Sequence, residues 1–196
     1  MDFFDTVKRR RMVRNYSAEP VEKAALERIL EAARRAPSAG FSQGQAMVVV
    51  TDDAGRSKIA ALAGEDEYVA NGMDPWISRA PVHVVVCVSK QTYFDRYAAP
   101  DKTGRVNTDA DWPVPYWWVD GGATMMVLLL ASVAEGLAAG FLGSHRMPEL
   151  KTAFGIPDDM DPLGVVTIGH AAEDRRSGSL ARGWKPQSDV VHREQW

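Results

Sequence analysis

The chain has 196 residues, with 23 Lys and Arg against 26 Asp and Glu and a net charge of -3, so it is the length of one ordinary domain and lacks the basic excess that gripping nucleic acid requires. Hydrophobic residues make up 45% and charged residues 25%, the proportions of a soluble globular chain and not of a disordered one. The single cysteine, Cys87, cannot form an internal disulfide, and a reducing cytoplasm is the compartment expected.

Residues 2–11 read as a short helix without a continuous apolar stretch of signal-peptide length, and they run into a basic cluster of Lys8, Arg9, Arg10, Arg11 and Arg14. Leu26, Ile29, Leu30 and Ala33 follow the i, i+3, i+4, i+7 template, which predicts a helix over 21–36 between Pro20 and Pro37. The valine-rich run 46–50 predicts a strand, followed by a helix over 54–63. Residues 82–88 form a continuous apolar strand of the doubly buried kind, with His83 as a structural histidine and Cys87 as a small hydrophobe.

From Ser89 to Trp118 no period holds, yet the stretch carries Tyr93, Phe94, Tyr97, Trp112, Tyr116, Trp117 and Trp118. Two readings stay open: a lid or binding loop in which Trp112 and Trp117 meet a substrate, and an irregular segment packing its rings on the core. Residues 121–134 lack charge and are apolar on every face, which predicts a helix covered all round by the domain or by a second copy of the chain. Such a helix is too short for a membrane span of about 20 residues. A short strand or turn over 140–143, a short helix over 148–154, a third core strand over 163–168 and a polar C-terminal arm over 171–196 complete an α+β chain that forms one domain over 1–196.

Several motifs fail on context. Gly40-Phe41-Ser42-Gln43-Gly44 matches G-x-S-x-G, but a helix precedes it and a strand follows, the reverse of a nucleophile elbow. Gly178 and Gly183 have P-loop spacing, but Trp184 replaces the essential lysine. There is no G-x-G-x-x-G, and His83, His145, His170 and His192 are scattered without metal-ligand spacing, so no metal site is expected. The arginine cluster remains. Arg10, Arg11 and Arg14 can present forked donors to a phosphate, though basic residues at a helix end also serve simply to offset the helix dipole.

Arg10-Arg11-Met12-Val13-Arg14-Asn15-Tyr16, the helix ending Ala32-Ala33-Arg34-Arg35-Ala36-Pro37-Ser38, Gln43, Gly140-Phe141-Leu142-Gly143, Gly155-Ile156-Pro157, Ile168-Gly169, and Arg182 with Lys185-Pro186 occur in an order that resembles the FMN-dependent nitroreductase family over nearly the whole chain. The resemblance implies a three-layer α/β/α domain with a central mixed sheet, an obligate homodimer, and FMN at the interface. It places the phosphate by Arg10, Arg11, Met12 and Arg14 with Arg182 and Lys185, and the ring by Leu142 and Gly143. Pro37, Ser38, Ala39 and Gln43 match the stretch that passes the flavin from the other subunit. Met12 stands where a serine is common, Phe41 where asparagine is frequent, and Gly44-Gln45 where proline and an aromatic are common, so Phe41 is assigned to the substrate side.

The implied activity is transfer of hydride from NAD(P)H to FMN and then of electrons to a nitroaromatic, quinone or similar acceptor by a ping-pong mechanism, with the cofactor carrying the chemistry and no catalytic side chain required. Family resemblance also admits dehalogenation, flavin cleavage or a deazaflavin donor. FMN sequestration without turnover is the non-enzyme alternative, and a flavin-free structural dimer the third.

Overall fold

The computed structural model describes residues 2–102, 108–174 and 178–196; the parts of the aromatic segment and the C-terminal arm at 103–107 and 175–177 lie outside them. Asp2 caps the first helix, α1 (Phe3–Arg9), by accepting the Asp5 N–H at 2.9 Å. The predicted amphipathic helix is α2 (Lys23–Arg34), which buries Ala25, Leu26, Ile29 and Ala33. Strand β1 (Gln45–Val50) leads through α3 (Asp53–Leu62), α4 (Glu65–Ala70) and α5 (Trp76–Arg79) to β2 (Val82–Val88). After α6 (Lys90–Tyr97) and α7 (Tyr116–Ala134), the chain finishes its sheet with β3 (Ala138–Gly143), α8 (Leu150–Ala153) and β4 (Asp161–Gly169).

The sheet order is β1-β2-β4-β3, and every neighbouring pair is antiparallel. This corrects the expected mixed sheet. The β2 run is apolar throughout because helices cover both faces, not because its neighbours are parallel. Val82, Val84 and Val86 pack with α2 and α7 through Ile29, Leu128 and Leu129, while Val85 and Cys87 pack on the opposite face among Ile59, Trp76, Ile77 and Leu150. The expected three layers are therefore present.

His83 is wholly buried and shares a 2.7 Å hydrogen bond through Nε2 with the Ile77 carbonyl. Burial lowers its pKa from 6.5 to about 4, so the ring is neutral and donates. The same environment pushes the Cys87 thiol up to about 11, chiefly by desolvation, which suits a structural thiol.

Helix α7 departs from expectation in two ways. It begins at Tyr116 and has 19 residues, long and apolar enough by length and composition to cross a membrane. Only one side is covered: Thr124, Leu128, Leu129 and Ser132 are buried against the fold, whereas Val119 and Met126 are exposed. The all-round coverage expected of it is not supplied by this chain alone.

Candidate functional site

The arginine segment is held beside β3. The Val13 N–H donates to the Ala139 carbonyl at 3.0 Å, and Met12 bridges Ala139 in parallel sense. Gly140 permits this approach, because a Cβ there would lie 2.5 Å from the Val13 carbonyl oxygen, a backbone atom with no rotamer to yield. Below it, the Tyr16 hydroxyl shares a 2.8 Å hydrogen bond with Thr167 Oγ1, and desolvation keeps that phenol protonated far above its ordinary range. A buried carboxylate fixes the outer side: Asp174 Oδ2 accepts from Arg11 Nη1 at 2.7 Å and from the Arg14 N–H at 3.1 Å.

Arg14 is thereby set at one side of a cleft of about 730 Å³, whose walls include Leu142, Gly143, His145 and Arg146, with Trp76 and Met147 among its apolar lining. In an antiparallel ladder each residue turns its N–H and C=O to one side, alternately. Ala139 turns its carbonyl to the arginine segment and away from β4, so Gly143, four residues on in an unbroken register, points its N–H to the same open edge. The cleft offers the Arg14 guanidinium, His145, an outward backbone N–H at Gly143 and Arg146, the last paired with Glu67 at 2.7 Å, around a largely apolar wall that also carries Asp74 and the Asp174 engaged by Arg11. That combination fits a flat, anionic cofactor such as FMN.

A second element lies outside this cleft. Residues 38–43 form a tight turn in which Gly40, Phe41 and Gln43 have φ of 61°, 56° and 53°, the left-handed region that costs a bulky residue such as Phe about 1 to 3 kcal/mol. A side chain at Gly40 would be strained by its φ of 61° and would press a Cβ to within 2.7 Å of the Tyr97 ring. Within the turn the Gln43 N–H donates to Ser38 Oγ at 2.9 Å, and Ser42 Oγ donates to the Ala39 carbonyl at 2.6 Å. Ser42 is buried and so engaged, which agrees with the exclusion of a nucleophile elbow. From outside, Asp120 Oδ2 accepts the Ala39 N–H at 2.8 Å and the Tyr93 hydroxyl at 2.6 Å, while Arg96 Nε donates to the Gly40 carbonyl at 2.9 Å. Phe41 is left 75% exposed.

The aromatic segment is resolved largely in favour of packing. Residues 90–97 form α6, with Ser89 as its N-cap, and are not part of an aperiodic loop. Trp112 and Trp117 are only 8% and 7% exposed, and they meet Tyr93 edge-to-face at centroid distances of 6.1 and 6.2 Å. Most of each ring is packed in the cluster that backs the turn, which favours the packing reading, while both also line a small surface pocket with Lys90, Asp109 and Trp118.

Of the residues singled out in the sequence, the cleft brings together Arg14, Leu142 and Gly143. Arg10, Arg11 and Met12 share the Arg14 segment without lining the cleft, and Arg11 is taken up by Asp174. Pro37, Ser38, Ala39, Phe41 and Gln43 belong to the turn, away from the cleft lining. Arg182 and Lys185 lie on the exposed stretch 178–196. Sequence reasoning missed His145, Arg146, Asp174, Asp120 and Arg96. Asp120, the last acidic residue before a chargeless helical run, offered the one readable signal.

Residues 7–170 match the Nitroreductase family. The chain belongs to that family. It is 30% identical to the FMN reductase (NAD(P)H) of Bacillus subtilis over 94% of this chain and 70% of that protein. It is 25% identical to the NADPH-flavin oxidoreductase of Vibrio harveyi over 98% of this chain and 73% of the relative. Among solved structures it resembles the hypothetical oxidoreductase YcnD from B. subtilis, with a TM-score of 0.78 and 27% identity over 100% of this chain and 75% of that one. NfrA2 of B. megaterium superposes with a TM-score of 0.79 at 22% identity, covering 100% of this chain and 76% of the other.

Proposed function

We propose that this chain is an FMN-dependent oxidoreductase that takes hydride from NADH or NADPH and passes the electrons to nitroaromatics, quinones or similar acceptors in two separate half-reactions. The observation that carries the reading is the cleft in which Arg14 stands with Leu142, Gly143 and the open β3 edge. Bound FMN would supply the redox chemistry itself. The guanidiniums of Arg10 and Arg14, which have no ion-pair partner among the described residues, would take the phosphate, with Met12 on the same segment contributing no side-chain hydroxyl. Arg11 would share its charge between phosphate and Asp174. The Gly143 N–H and Arg146 would favour negative charge on the ring as it is reduced.

A second copy of the chain completes the site in this reading. Two features support it: the uncovered Val119 and Met126 side of α7, and an exposed stretch 178–196 that includes Trp184 at 93% and Trp196 at 99% exposure. Such surface is disfavoured in water unless a partner covers it. Pro37, Ser38, Ala39, Phe41 and Gln43 of the partner subunit would then face the cleft, and Arg182 and Lys185 would reach a phosphate as part of a C-terminal arm, 171–196, laid over the other protomer. In this reading the chain is one domain over 1–196, and its single, buried cysteine fits a cytoplasmic enzyme.

The test is direct. Purified protein is expected to carry a flavin absorbance spectrum, to bleach under anaerobic titration with NADH or NADPH, and to recover its colour on addition of a quinone. A protein that takes up no FMN would overturn the reading; one that binds FMN but never bleaches would be a flavin-sequestering protein.

A further inference from the structure

Phe41 poses a physical problem. A bulky ring in left-handed backbone, with Gly40 before it and Gln43 two residues on also left-handed, and largely exposed, gains little from burial that would offset its conformation. The turn's internal hydrogen bonds, among them the Phe41 N–H to the Ser38 carbonyl at 2.9 Å, are reinforced from outside. The two backbone groups just before Phe41 are gripped from different helices: the Ala39 N–H by Asp120 on α7, and the Gly40 carbonyl by Arg96 on α6. Each gripping side chain is itself fixed. Asp120 Oδ2 receives the Tyr93 hydroxyl at 2.6 Å, and the Arg96 Nη1 and Nη2 atoms each meet an Asp101 oxygen at 2.7 Å.

We infer that Asp120 and Arg96 are positioning residues that clamp the Ser38–Gln43 turn from two sides and hold Phe41 outward as a flat platform for the oxidising substrate. This rests on the flavin reading above, in which the turn of one protomer faces the cleft of the other. An exposed phenyl ring held without freedom loses little entropy on stacking with a planar quinone or nitroaromatic, so the clamp acts on acceptor binding and not on electron transfer. The aromatic cluster of Tyr93, Trp112 and Trp117 is the foundation of this clamp and not a lid.

The experiment compares Arg96→Met, Asp120→Ala and Asp120→Asn with wild type, all as FMN-loaded protein. Amide hydrogen exchange of the peptide spanning 37–44 reads the clamp itself. It is expected to accelerate by about tenfold or more in Arg96→Met and Asp120→Ala, the loss of one hydrogen bond to a charged group. Asp120→Asn, whose amide oxygen still accepts, falls between them and wild type. KM for a benzoquinone acceptor is expected to rise by a similar factor, with kcat of the FMN-loaded enzyme within about twofold. Phe41→Ser gives the same KM rise without needing the clamp to break.

A purely structural role predicts the opposite split, less active enzyme and therefore lower kcat at constant KM. That result, or unchanged exchange in the turn, overturns the inference. If Asp120→Ala does not fold, the partly exposed Arg96→Met carries the same test. Wild-type protein that binds no FMN overturns the functional reading and this inference with it; wild-type turnover with no KM response in the variants overturns the inference alone.

Discussion

The cleft segment 10–14 and the turn 38–43 are built in opposite ways. The first is a short stretch of charged residues laid against a strand edge, held by one backbone bond to Ala139, one to Asp174 and the Arg11–Asp174 ion pair. Its chemistry follows from residue type. The second contains no charge at all, yet its backbone is bonded at Ala39 and Gly40 by side chains 81 and 56 residues away in sequence. Its chemistry follows from shape. A segment that binds through charge can stay loose, whereas one that presents a ring in a disfavoured conformation has to be over-determined by its surroundings.

The largest expected effect tests the foundation of the turn. Trp117→Ala should lower the unfolding free energy by about 3 to 5 kcal/mol, as for other buried aromatics, measured by urea denaturation. A loss below about 1 kcal/mol would show that the cluster carries no weight and would restore the lid reading.

The sheet between the two regions supplies the next. Folding depresses the His83 pKa from 6.5 to about 4, so the stability its neutral form contributes is fully present above pH 6.5 and is lost as the pH falls toward 4. Across that window the loss amounts to about 3 kcal/mol. Urea midpoints followed from pH 7 to pH 4 should fall, and His83→Gln should flatten the decline. An equal slope in the variant would move the acid sensitivity elsewhere.

The smallest effects belong to the charged segment and sharpen the contrast. Arg14→Ala should weaken FMN binding by about tenfold, the value of one charge-assisted hydrogen bond. Arg11→Ala should weaken it less, because Asp174 already engages that guanidinium. Fluorescence titration ranks the two; a larger loss at Arg11 would mean that its pairing with Asp174 gives way to the phosphate.

How much of this was legible depends on the range of the signal. Helix α2 was readable because its apolar residues repeat at helical spacing, and β2 because seven consecutive residues are of strand-forming or buried type. Helix α6 was hidden: it is short, and Tyr93, Phe94 and Tyr97 gave no aliphatic stripe, although Ser89 stood at its N-cap. The antiparallel pairing of β2 with both neighbours is a property of the connections, which composition does not encode. At the candidate site, Arg14 was singled out through residue type and the Leu142–Gly143 stretch through the family resemblance alone, and both line the cleft. Asp174, Arg96 and Asp120 were not singled out, since each matters only for a backbone atom that long-range folding brings within reach.

The contact between Val13 and Ala139 sets an order on how the protein matures. The arginine segment precedes by more than a hundred residues the strand edge it pairs with, which is itself anchored to β4. Closing so long a loop is slow compared with forming α2 or α3, which need only their neighbours. A nascent chain therefore makes its arginine segment well before the edge that holds it, and the cleft is assembled only when the last strand closes the sheet.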